Sequence, residues 1–215
     1  MADGIVKQDS LPAEADGSFP RYRQNRRGEL VTADSLFQLA ADGRLFCSSD
    51  ADENDRVTGE TSYVATTPTF LLRVPAGVCV MPMWVNMQQT GSVAGGAISV
   101  YLSYDRVDRY SSGGTSQAVT PMHTGRPVAA SSTLYSGATA AAATEARLLL
   151  SQVFDEDVGT DTNVTESLFA VAYKDFFPPF LKGPAAFMVF SYAASTGPTW
   201  EWSIGWLEIP DASAD

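Results

Sequence analysis

The chain has 215 residues, of which 45% are apolar and only 18% charged, and its net charge is -11. That apolar share excludes a disordered chain, and an acidic body with lysine only at positions 7, 174 and 182 argues against nucleic-acid and membrane-surface partners, which require clustered cations. Residues 1–10 lack the apolar segment of a secretion signal, and no run reaches the roughly 18 apolar residues of a membrane span, so the expectation is a protein made soluble in a cytoplasm.

Residues 1–28 read as an extended N-terminal arm. They hold Gly4, Pro12, Gly17 and Pro20 with few apolar side chains, too little to offset the entropy of ordering alone. Arg21, Arg23, Arg26 and Arg27 make the one basic cluster, either a solvated run or a contact for an acidic protein surface. From residue 29 to 215 the pattern is that of a single β-domain. Leu30-Val31, Leu36–Leu39 and Leu45–Cys47 read as short strands, with Asp42-Gly43 as a tight turn. Residues 50–60 form an acidic loop.

Phe70, Leu72 and Val74 alternate with Leu71 and Arg73, and Pro75-Ala76-Gly77 ends that strand. Val78–Met87 follows, and Pro82 inside it predicts an edge strand or a bulge. Gln88–Gly96 is a turn by composition. Ile98, Val100, Leu102 and Tyr104 share one strand face, and Ser111–Gly114 closes the strand. Residues 115–143 look like loop, with Ala138–Ala143 as a candidate short helix. Arg147–Phe154 and Leu168–Tyr173 are strands, and Phe176–Phe180 is an aromatic-proline corner. Ala186–Ala193 and Trp200–Ile209 make the last pair, joined by the turn Ser195–Pro198. Trp200, Trp202, Ile204 and Trp206 give the strongest alternation in the chain. The whole predicts an all-β fold: a jelly-roll-like β-sandwich of about eight to ten strands.

Chemistry is sparse. The single histidine, His123, would have to serve any Ser-His-Asp or Cys-His scheme, and no G-x-S-x-G elbow accompanies it. Carboxylate pairs for glycoside hydrolysis fall in acidic turns, while Glu201 and Glu208, seven residues apart on one strand, take opposite faces. Asp50, Asp52, Asn54 and Asp55 mimic an EF-hand opening, but the sixth position is Asp55 and the twelfth Thr61. The acidic loops 50–60 and 155–161 leave calcium open. Cys47 and Cys79 lack metal-ligand spacing and read as buried free thiols, with a disulfide left open. The expectation is a non-enzyme without cofactor or metal site. Trp200, Trp202 and Trp206 read as core or interface aromatics, with sugar stacking as the competing use.

The stretch Tyr22-Arg-Gln-Asn-Arg-Arg-Gly-Glu-Leu-Val31, Phe46, the run Phe70–Gly77 and the turn Gln89–Gly95 resemble virion structural proteins of tailed bacteriophages. That resemblance spans residues 22–115. It implies a capsid decoration (cement) protein, located on the virion, that docks on major capsid protein or other virion subunits. Arg21, Tyr22, Arg23, Arg26 and Arg27 of the arm would make the contact, and a homo-oligomer, a trimer, is implied. The alternative is a carbohydrate-binding or receptor-recognising tail or appendage module.

Overall fold

The computed structural model describes residues 35–50, 55–90, 97–125, 128–142, 146–154, 168–194 and 196–211. The arm 1–28 with Arg21, Tyr22, Arg23, Arg26 and Arg27, the pair Leu30-Val31, residues 51–54 and the acidic run 155–161 lie outside the described residues.

The first element corrects an expectation. Leu36–Leu39 is not a strand but part of the helix α1 (Ser35–Ala41). Leu36, Leu39 and Ala40 carry helical spacing, which so short a stretch, Leu-Phe-Gln-Leu, disguises. Asp42-Gly43 is therefore a helix terminus rather than a hairpin turn. Gly43 has φ of 74°, its amide donates to the Ala40 carbonyl, and the Arg44 amide donates to the Leu39 carbonyl, the double bond of a Schellman cap.

The strands that follow, among the described residues, are β1 (Leu45–Ser49), β2 (Val57–Thr58), β3 (Phe70–Val74), β4 (Val78–Thr90), β5 (Ile98–Asp105), β6 (Tyr110–Ser116), β7 (Thr120–Pro121), β8 (Thr133–Ala140), β9 (Arg147–Phe154), β10 (Leu168–Ala172), β11 (Leu181–Lys182), β12 (Ala185–Ala193) and β13 (Thr199–Pro210). They form two antiparallel sheets packed as a sandwich. One runs β10-β4-β13-β1-β7, with β11 beside β4 and β2 beside β13. The other runs β6-β8-β3-β12-β5-β9.

Several local readings change: Gln88–Thr90 belongs to β4 rather than to a turn, and the segment 115–143, read as loop, holds β7 and β8. The acidic loop 50–60 contains β2, and Ser111–Gly114 is the middle of β6 rather than the end of the preceding strand. Ala138–Ala140 belongs to β8, not to a helix, because its partners on β6 supply the ladder that local alanine content does not foretell. β12 and β13, consecutive in sequence, sit in different sheets, so the turn between them is a corner of the sandwich and not a hairpin.

β4 shows what Pro82 does. It is an inner strand, paired to β13 along its length and to β10 and β11 on the other side. Pro82 falls between the segments held by β11 (Cys79-Val80) and β10 (Trp84–Gln88), where its missing N–H leaves no gap in a ladder. Gly205 pairs with Trp84 and Trp206 with Pro82, so Met83 is the extra residue of a bulge. The core-facing set changes phase there, from Val80 to Val85 and Met87.

The core lies between the sheets. Trp200, Trp202, Ile204 and Trp206 of β13 are buried in it with Phe70, Leu72 and Val74 of β3 and Ile98, Val100 and Leu102 of β5. The Trp202 and Phe70 rings lie 4.6 Å apart between centroids. Trp200 Nε1 donates to Ser191 Oγ at 2.9 Å, and Ser191 Oγ also meets Thr69 Oγ1 at 2.9 Å, so the indole N–H is satisfied inside. On the other sheet face Trp84 covers Gly205, where a Cβ would overlap the indole ring, and Trp84 Nε1 donates to Ser203 Oγ at 3.0 Å.

Candidate functional site: a tyrosine groove on the outer sheet face

The six-stranded sheet is apolar on both faces. Beyond the main core, Leu71, Ala138, Ala140, Met188 and Phe190 form a second buried cluster on its outer face, flanked by Tyr101, Tyr110 and Tyr135. β12 is the reason: Ala185, Phe187 and Val189 point inward, while Met188 and Phe190 point outward, so neither face of this strand is polar.

Cross-strand register assembles the aromatic floor. Phe190 pairs directly with Tyr101 of β5, and Met188 with Ser103. Tyr192 lies diagonal to Tyr101, their rings 5.7 Å apart and within 14° of parallel. The Tyr192 and Tyr101 hydroxyls are 3.1 Å apart. That hydrogen bond first, then burial, raises the Tyr101 hydroxyl above its ordinary range.

One wall comes from the segment after β2. The Glu60 amide donates to the Ser191 carbonyl at 2.9 Å, and the Ala193 amide donates to the Glu60 carbonyl at 3.1 Å. This anchor brings Tyr63 over the floor, with centroids 5.3 Å from Phe190 and 5.8 Å from Tyr101. The opposite wall is Ala146–Leu148, at the start of β9. Arg109 closes one end. Its guanidinium donates to Asp105 Oδ2 at 3.1 Å, to the Ala141 carbonyl at 2.7 Å and to the Ala65 carbonyl at 3.2 Å. Both side chains of this ion pair are buried, at 1% and 0% exposure, so Arg109 ties two walls to the β5–β6 turn without presenting net charge to the groove.

The groove encloses about 410 Å³, within the range of small-molecule sites. Its ring faces, the Ser103 hydroxyl and the tyrosine hydroxyls suit a neutral ligand with an apolar face and a hydroxylated rim, or an apolar side chain of a partner.

The residues singled out from sequence lie elsewhere. Trp200, Trp202 and Trp206 are 0%, 5% and 0% exposed, so their rings meet the core and not a ligand. Glu201 and Glu208 do take opposite faces. Glu201 pairs with Arg56 at 3.3 Å on the surface, whereas Glu208 is buried and accepts from the Ser131 and Ser132 amides. His123 Nδ1 accepts from the Gly125 amide at 3.1 Å within its own loop. Neither Cys47 nor Cys79 is in a disulfide. Among the described residues, no three His, Cys, Asp or Glu side chains gather to hold a metal ion, and no helix is long and apolar enough to cross a membrane. In the aromatic-proline corner Phe176 turns into the core while Phe177, at 97% exposure, and Phe180 face outward.

Sequence reasoning missed the groove. Its one signal is the run Ala185–Phe190, which lacks a polar alternate and so marks a strand covered on both faces. Models of known protein families, curated proteins and solved structures give no match to this chain.

Proposed function

We propose that this chain is a non-enzymatic structural protein of a virion, a capsid decoration (cement) subunit whose β-sandwich holds other subunits by surface contact. The observation that carries this reading is the apolar outer face of the six-stranded sheet. A sandwich needs only its inner faces apolar; here the second apolar layer is buried by the chain's own segments, and Tyr63 and Leu148, exposed at its rim, are the apolar surface left for a partner. The low charge and the sequence resemblance over residues 22–115 support the same reading. The acidic net charge of -11 speaks against nucleic acid as the partner. The test is co-sedimentation of the purified chain with particles built from the major capsid protein of the same virus. Saturable binding that Tyr63→Asp weakens is the expected result, and absence of binding overturns the proposal.

A second reading has its own observation. The near-parallel Tyr101 and Tyr192 rings beside Tyr63 and Ser103 offer stacking faces with hydroxyls nearby, so a pyranose ring fits the groove as it would in a carbohydrate-binding appendage module. Binding on a glycan array, lost in Tyr101→Ala, would favour this reading over the first.

A further inference from the structure

We propose that the free edge of β9 is a self-association seam, in which two copies of this chain pair β9 to β9, antiparallel about a two-fold axis, and continue the six-stranded sheet from one copy into the other. Among the described residues, β9 ends the strand order of that sheet and its ladder runs to β5 alone. Every second peptide of the strand therefore turns its N–H and C=O away from the sheet, as a template for another strand.

The other edges are guarded. β7 has two residues and β10 five. β6 carries Gly113 and Gly114 and a register shift between Tyr110 and Ser112. β9 has eight residues, Arg-Leu-Leu-Leu-Ser-Gln-Val-Phe, with no proline, no glycine and no acidic group. A bulge at Leu149 sets Leu148 opposite Ser103, while Val153 stands opposite Ser99, so two residues five apart share the outer face. They are 62% and 58% exposed.

Charge selects a second copy as the occupant. The chain carries 25 acidic residues against 14 basic ones, so two copies repel over most of their surfaces. β9 is a long edge where they can meet without carboxylate facing carboxylate. Its single charge, Arg147, also fixes the direction. Parallel pairing would set Arg147 beside Arg147. Antiparallel pairing puts the two guanidinium groups at opposite ends of the seam, about 24 Å apart at ~3.4 Å per residue. A two-fold axis normal to the sheet keeps the same face outward in both copies. Leu148 and Val153 of the two chains then form one apolar strip that runs on from the rim of the tyrosine groove. Such an interface is isologous and closes at two. It is independent of particle binding, since a dimer could exist without it.

Sedimentation equilibrium of the full chain across a concentration series tests the seam. The expected result is a reversible dimer of twice the 23.0 kDa chain mass. The double substitution Leu148→Lys and Val153→Lys, on exposed side chains, should weaken it at least about tenfold through like charges across the strands, with the circular dichroism spectrum unchanged. A chain that stays monomeric, a trimer, or a dimer indifferent to the two lysines overturns the proposal. Should the double variant misfold, hydrogen exchange of the unaltered chain decides. Protection of β9 amides must rise with protein concentration, and constant protection overturns the seam.

Discussion

Glu208 and Ser132 are joined twice, the Ser132 amide and the Ser132 hydroxyl both donating to Oε2 of the same carboxylate, the amide at 3.0 Å. The other oxygen, Oε1, accepts from the Ser131 amide at 2.7 Å. Glu208 stands on the core side of β13, opposite Val80, and closes that end of the sandwich by holding the segment before β8. Three donors on one buried carboxylate are charge-assisted bonds, stronger than neutral ones. Glu208→Ala should therefore cost about 3–5 kcal/mol, because it strands the buried Ser132 amide and hydroxyl and the partly buried Ser131 amide, while Glu208→Gln, which keeps an acceptor, should cost about half that. Urea unfolding of both variants checks the order, and equal losses would contradict it.

Trp84 and Gly205 make a second test. The indole lies over the glycine, so Gly205→Ala must displace a ring held by its bond to Ser203. The substitution should lose roughly 1–3 kcal/mol as an overpacking strain. In a double-mutant cycle with Trp84→Ala, the cost of the added methyl should largely vanish. Additive losses would mean that the ring is not what excludes the methyl.

The buried pair Asp105–Arg109 predicts a non-additive result of another kind. Arg109→Ala leaves the Asp105 charge uncompensated and frees the Ala65 and Ala141 carbonyls, at a cost of about 3–5 kcal/mol. Arg109→Met combined with Asp105→Leu should recover most of that loss, since desolvation of both charges disappears together. Chemical denaturation of the three proteins gives the comparison. The groove should also lose its closed end in Arg109→Ala, visible as faster amide exchange at 63–66.

Alkaline pH should act through Tyr101. Its hydroxyl stays protonated in the fold at a pH where the unfolded chain has begun to ionise. The stability it contributes is complete below the unfolded value of about 10 and is lost as pH rises through the folded value. Unfolding midpoints measured from about pH 8 to about pH 11 should fall, and fall less steeply in Tyr101→Phe. Parallel curves for the two proteins would remove Tyr101 as the source.

How far the sequence could be read depended on where the signal sits. The β13 stripe was legible because strand period is a local property, and the Phe70–Val74 run because a short apolar run closed by Pro75-Ala76-Gly77 marks a strand even when both its faces are buried. Leu36–Leu39 misled because three apolar residues within a stretch of four fit either period. Ala138–Ala140 misled because its strand depends on neighbours rather than on its own propensity. The groove was hidden for a further reason. Tyr101 and Tyr192 meet across 91 residues, and nothing in either segment announces the other. β12 and β13 looked like a hairpin because composition marks a turn but not whether the chain turns within a sheet or passes to the facing one.

Along β4, every residue from Val78 to Thr90 has a cross-strand mate on β13 except Met83. Deleting Met83 would leave Pro82 in and Trp84 out as true neighbours, a regular pleat with every remaining mate unmoved. Deleting Asn86 instead would turn Trp84 toward the hydrocarbon interior or slide the strand against its neighbours. The sheet thus concentrates its tolerance of length change in one supernumerary residue, and shortened variants of this protein should survive at that place and fail on either side of it.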